Sequence, residues 1–216
     1  MAAPRRSSKD PEKIKRIMES ALRIFARSGY RETKTDEIAQ AANVSKGTLF
    51  HYYKNKANLY LETLRSSISR VSQAADYSVW TDSKDLVEMV VRATKYKIQL
   101  QLKYPEDFRL LLNAYALSSS LPAKLRTEIA QLYAKNTKVA LDQVIEPVLK
   151  KLPVRADLPL PVVEKAITAL EEVITQEARD FIKEHPTAQI ADLEPVITHA
   201  RMYMEILQRG FMADSH

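Results

Sequence analysis

Residues 34–53 read KTDEIAQAANVSKGTLFHYY, and the order of residue types in this stretch decides the fold. Asp36 and Glu37 suit the positive start of a short helix. Ile38, Ala39 and Ala42 give that helix an apolar side, and the two alanines let a second helix come close. Asn43-Val44-Ser45 reads as a tight turn, with Val44 as its apolar plug and Ser45 as the N-cap of the next helix. That second helix, roughly 46–53, turns Leu49 and Tyr53 inward and leaves Lys46, Thr48, His51 and Tyr52 on an exposed face. Two short amphipathic helices about a tight turn form a helix-turn-helix, in which one helix braces and the next enters a DNA major groove.

The surrounding chain supports this assignment. Ile14, Ile17, Met18, Ala21, Leu22 and Phe25 lie on one helical face, so a first helix is expected over 11–28. Asp10 can cap it, Pro11 fits its first turn, and Gly29 ends it. Asn55 can cap a fourth helix that starts near Lys56 and continues past Arg70. Formal net charge is +6 overall. Residues 1–70 hold 15 of the 33 Lys and Arg but only 7 of the 27 Asp and Glu, a net of +8; the remainder carries −2. The basic excess thus coincides with the helix-turn-helix, as a phosphate-neutralising module requires.

Beyond residue 71 the pattern stays helical. Helices are expected over 83–103, 105–117, 122–150, 161–184 and 191–212. Polar interval 76–84, loop residues 118–120, the proline-rich segment 152–161 and His185-Pro186 separate them. The expected fold is therefore all-α, with nine helices in total. With three glycines in 216 residues, neither a glycine-rich phosphate loop nor a turn-rich β fold is expected. Cysteine is absent, which excludes disulfides and thiolate metal sites. No apolar run approaches the ~20 residues a membrane-spanning helix needs. The basic N-terminus lacks the apolar stretch of a secretory signal, so a soluble cytoplasmic protein is the simplest reading. His185, His199 and His216 show no metal-ligand spacing, and no paired carboxylates suggest catalysis. No cofactor, metal or enzymatic activity is expected.

The chain resembles the tetracycline-repressor (TetR) family of transcriptional regulators. The resemblance rests on Ala21–Phe25 with Gly29-Tyr30, Thr33–Thr35, Ile38-Ala39, Ala42, Val44-Ser45, Gly47-Thr48-Leu49, Tyr52-Tyr53, Lys56 and Leu59. It covers roughly 11–71. It implies a DNA-binding domain over 11–71, followed over 72–216 by a helical domain for ligand binding and dimerisation. It further implies a homodimer built through helices near 161–184 and 191–212, bound to a palindromic double-stranded operator and released by a small-molecule effector. The alternative is an effector-independent, architectural or chromosome-organising DNA binder.

Candidate DNA contacts follow residue by residue. Thr33, Lys34 and Thr35 surround the start of the bracing helix, where exposed N–H groups can grip a phosphate; any of the three could be its N-cap. Ser45 and Lys46 open the recognition helix. Gly47 lets the backbone approach DNA, or else allows close helix packing. Thr48 and His51, one turn apart, can read base edges, while Tyr52 and Lys56 can hold phosphates. Position 50 is Phe where many family members carry Tyr, so no hydrogen bond is expected from it. For the effector pocket the candidates are Trp80, Tyr96, Phe108, Tyr115, Tyr133 and Phe181, with Tyr77 and Tyr104 as further aromatics. An aromatic at helical spacing can equally be core.

Overall fold

The computed structural model describes residues 10–116 and 121–212. The expected N-terminal arm, the 118–120 loop and His216 fall outside them. Eleven α-helices run through the described residues: α1 (Pro11–Glu32), α2 (Thr35–Ala41), α3 (Lys46–Tyr53), α4 (Lys56–Ala74), α5 (Ser78–Thr81), α6 (Leu86–Lys103), α7 (Pro105–Ala116), α8 (Ala123–Ala140), α9 (Glu146–Leu149), α10 (Leu160–Glu184) and α11 (Glu194–Phe211). The count exceeds nine because α5 forms one turn inside the polar interval and α9 is split from α8.

Proline chemistry explains the second division. Pro147 has no N–H, and its ring crowds the carbonyl four residues earlier. The backbone responds by widening into a π-helical stretch, Leu141–Ile145, before α9 resumes. A similar constraint shapes the last helix. Pro195 sits in its first turn, and a 3₁₀ turn, Ile190–Leu193, precedes it. The start of α6 also moves, from residue 83 to 86, because Asp85 is the cap: its carboxylate accepts from Glu88 N at 2.7 Å.

At Gly29 the backbone of α1 leaves helical geometry, with φ 68° and ψ 178°. The helix proper thus ends where the sequence placed its end, and three more residues swing the chain toward α2. Thr33 Oγ1 closes this corner by donating to Gly29 O at 2.6 Å.

Three apolar clusters hold the molecule together. The largest joins Ile17, Leu22 and Phe25 of α1, Ile38 of α2, Leu49 of α3 and Leu59 and Leu64 of α4. It does not stop at the N-terminal helices: Leu110 and Ala114 of α7, and Leu125 and Ile129 of α8, belong to the same core. A second cluster gathers Leu86, Val148, Leu149, Val163, Ile167 and Met204 from the body helices. A smaller third links α10, α11 and the 3₁₀ turn through Ile182, Leu193 and Val196. No helix of the described residues is long and apolar enough to cross a membrane.

Candidate nucleic-acid interface

The turn between α2 and α3 is built by backbone geometry that few residues tolerate. Asn43 takes φ 51°, the left-handed region that Asn adopts more readily than most residues. Val44 N then reaches back to Ala39 O at 3.0 Å, which closes α2. Arg16 of α1 completes the closure: its Nε donates to Ala42 O at 3.1 Å. Ser45 caps α3, its Oγ accepting from Thr48 N at 3.0 Å and lying 2.9 Å from Thr48 Oγ1. Leu49 is fully buried and pins α3 to α1 and α4.

With Leu49 inside, the opposite face of α3 is outside. Ser45, Lys46, Gly47 and His51 are exposed and Thr48 is half-buried. The structure therefore brings Lys46, Gly47, Thr48 and His51 together on one outward surface. A Cβ placed on Gly47 would meet only Ser45 Oγ, at 3.8 Å, so helix packing does not require the glycine. Lys46 lies 2.9 Å from Asp36, an exposed ion pair that ties α3 to α2. Arg27 and Glu37 form a similar exposed pair between α1 and α2.

Thr33, Tyr52 and Lys56 are positioned differently from the sequence expectation, whereas Lys34 is one of the caps it allowed. Thr33 is 2% exposed, with its hydroxyl committed to Gly29, so it shapes the corner and does not face outward. Lys34, exposed, is the N-cap of α2, and its side chain makes no capping bond to the first turn. Tyr52 is half-buried, and its hydroxyl accepts from Asp10 N at 2.9 Å, anchoring the start of α1. Lys56 is also half-buried: its Nζ donates to Arg31 O at 2.9 Å and sits 4.8 Å from the Tyr30 ring. Burial pushes the Lys56 ammonium below the usual lysine range.

Between α3 and α4 lies a feature that side-chain patterning missed. Lys54 has φ 64° and ψ −51°, and Asn55 N bonds Tyr53 O at 2.7 Å across it. This is a γ-turn of the rare positive-φ kind, which strains any residue with a Cβ. Asn55 then caps α4 through its Oδ1 and Asn58 N, at 2.8 Å.

In the body, a cavity of about 590 Å³ opens among α4, α6, α7, α10 and α11 and the π-helical stretch. Its wall is mostly apolar, including Met89, Leu100, Ile174, Val196 and Met204. Hydroxyls of Ser72, Thr94 and Thr175 and the ammonium of Lys97 supply polar points. Of the expected pocket aromatics, Trp80 and Phe108 line it, as does Tyr77. Tyr96, Tyr115, Tyr133 and Phe181 do not. The Tyr96 ring sits edge-on behind Trp80, and its hydroxyl accepts from Asp76 N. Tyr115 and Tyr133 meet edge to face and donate to Thr175 O and Leu111 O, so both are structural. Phe181 stacks on His185, and Tyr104 lies beside Lys103.

A capped, outward-facing second helix on a basic three-helix head, carried by a helical body, defines a helix-turn-helix protein. Residues 17–63 match the family described as bacterial regulatory proteins, tetR family. Two Bacillus subtilis (strain 168) relatives are uncharacterized HTH-type transcriptional regulators. YvkB is 47% identical over 105 residues, 46% of this chain and 56% of its own. YhgD is 37% identical over 65 residues, 30% of this chain and 34% of its own. The chain thus spans about half, or less, of these relatives. A Staphylococcus aureus relative, the biofilm operon negative transcriptional regulator IcaR, is 25% identical over 128 residues, 55% of this chain and 68% of its own. In overall fold, a TetR-family structure from Mesorhizobium loti MAFF303099 superposes with a TM-score of 0.64 at 18% identity, covering 96% of this chain and all of that one (100%). Residues 17–63 are thus similar to the DNA-binding segment of the TetR family, and the described chain shares its all-α fold with a TetR-family structure.

Proposed function

We propose that the protein is a transcriptional repressor that binds a palindromic DNA operator as a homodimer and is released by a small, mostly apolar effector. The observation that carries this reading is the outward face of α3, where Thr48 and His51 project one turn apart from a helix fixed by the Ser45 cap and buried Leu49. Thr48 offers a hydroxyl and a methyl to base edges, and His51 a ring nitrogen to guanine N7 or O6. Lys46, and the start of α2, provide phosphate contacts that set register. On binding, Lys46 would exchange Asp36 for a phosphate. Thr33 takes no part in contact, and Tyr52 and Lys56 act first as braces of the head.

Self-association is supported by the outer face of α10 and α11. Val162, Val173, Met202 and Ile206 are exposed there by 45–71%, an apolar surface on adjacent helices that a second copy would cover. The body cavity falls within the ~300–1,000 Å³ typical of small-molecule sites and supports effector control. It counts against the architectural alternative, which needs no cavity. The negative regulator among the relatives favours repression over activation.

Selection of bound DNA from a random pool with the purified protein tests the reading. A palindromic motif is expected. His51→Ala should relax its sequence preference, whereas Lys46→Ala should weaken all sequences alike and flatten the salt dependence. Failure to enrich any motif would reject sequence-specific binding. Ile206→Glu should give a monomer in solution; an unchanged dimer would place the self-association face elsewhere.

A further inference from the structure

The contact between α4 and α7 contains a side chain that folding alone does not explain. Asp107, in the first turn of α7, is 3% exposed. Its Oδ2 meets Arg70 Nη1 of α4 at 3.2 Å, while Oδ1 is buried with no hydrogen-bond partner among the described residues. One turn earlier on α4, the buried Ser67 hydroxyl is equally unsatisfied. A carboxylate held by a single bond, on one of its two oxygens, stabilises a buried position poorly. An apolar pair would hold two helices together at least as well.

Position suggests what the pair does. The residue after each partner, Val71 on α4 and Phe108 on α7, lines the body cavity. Further along α7, Leu110 and Ala114 sit in the same core as α1, α2 and α3, and Asn113 donates to Ala26 O of α1 at 3.4 Å. Besides the apolar core that Leu64 of α4 and Leu110 of α7 share, the two helices that connect cavity to head are therefore tied to each other by an ion pair directly beside the cavity wall. An occupant that parts Val71 from Phe108 must lengthen or break the Arg70–Asp107 contact. Because that contact is one bond and not a packed apolar seam, it can exist in two discrete states, made and broken.

We propose that Arg70 and Asp107 are the positioning pair that couples cavity occupancy to the orientation of the recognition helices. This rests on the reading of the protein as a ligand-responsive DNA binder. Asp107 holds α7 against α4 when the cavity is empty, and its release lets α4 turn with the head attached.

A double-mutant cycle tests the coupling without an identified ligand. Ala93→Phe projects a ring into the cavity from α6 and stands in for an occupant. Operator affinity, on DNA selected with the wild-type protein, is measured for wild type, Ala93→Phe, Asp107→Asn and the double variant. Ala93→Phe is expected to weaken binding by roughly 5–150-fold. In the Asp107→Asn background the same substitution should change affinity less than about twofold, because the contact it acts through is already lost. Equal, multiplicative effects in both backgrounds would overturn the coupling role and leave the ligand-responsive reading intact. No effect of Ala93→Phe in either background would overturn that reading and the pair's role with it. Arg70→Gln, at the more exposed partner, repeats the cycle should Asp107→Asn fail to fold. A merely structural pair would lower stability without removing the response to Ala93→Phe.

Discussion

Replacing Lys54 by glycine should make this protein more stable, although the substitution deletes a side chain and adds none. At φ 64° and ψ −51°, Lys54 occupies backbone space that its Cβ disfavours. Such a residue costs on the order of 1–3 kcal/mol. A glycine has a mirror-symmetric conformational map, so this γ-turn is as accessible to it as the common negative-φ form. Against the relief stands the greater freedom of glycine in the unfolded chain, about 0.5–1 kcal/mol. The bonds that define the turn, Lys54 N to Phe50 O at 2.8 Å and Asn55 N to Tyr53 O at 2.7 Å, use only backbone atoms and survive. The difference favours glycine by about 1 kcal/mol, which for a chain of this size is a rise in Tm of about 2–4 °C. Lys54→Ala is the control, since it removes the exposed side chain and keeps the Cβ. It should leave Tm within about 1 °C of wild type, as exposed substitutions usually do. Thermal unfolding by circular dichroism compares the three proteins. If Lys54→Gly is no more stable than Lys54→Ala, the turn is not strained and the reasoning fails.

Leu49→Ala removes the fully buried side chain that pins the recognition helix, and should cost about 2–5 kcal/mol; chemical denaturation showing under about 1 kcal/mol would mean that α3 is held from elsewhere. On the outer face, Glu177 accepts from the Tyr203 hydroxyl at 2.5 Å and lies 3.0 Å from His199 Nδ1. The Tyr203 bond first, then the His199 bond, holds its carboxyl below the ordinary glutamate range. A depressed folded-state pKa favours folding fully above the unfolded value near 4.5, and that contribution disappears as pH falls through the folded value. The stability difference between wild type and Glu177→Gln should therefore be constant near neutrality and shrink only below about pH 4.5. A difference that already shrinks well above pH 4.5 would show that the Glu177 carboxyl is not held below its ordinary range.

The helix-turn-helix was legible because its signals are local. Caps, the Asn turn and the alternation of buried and exposed positions all lie within four residues of one another, and Ser45, Asn55 and Gly29 behave as their chemistry dictates. What local pattern could not give was the commitment of individual polar groups. Tyr52 bonds Asp10, Lys56 bonds Arg31, and Arg16 caps α2 from 26 residues away. No periodicity announces a partner at that separation. The pocket aromatics divided for a related reason. Tyr115 and Tyr133 have the same character and spacing as true cavity residues, and only tertiary placement sends their rings to the inner seam. Thr33 illustrates a third limit: one residue of phase at a helix start separates an outward hydroxyl from one folded back on Gly29.

The core that runs unbroken from α1 into α7 and α8 has a practical consequence for anyone who would re-engineer the protein. A fragment cut after residue 71 would keep every expected DNA-contacting residue and lose Leu110, Ala114, Leu125 and Ile129 from beneath them. It would expose the apolar flank of α1 and forfeit part of its own interior. Grafting this head onto the body of a relative would likewise require carrying the inner side of α7 along with it. The unit that can be exchanged as a whole is not a contiguous stretch of the chain.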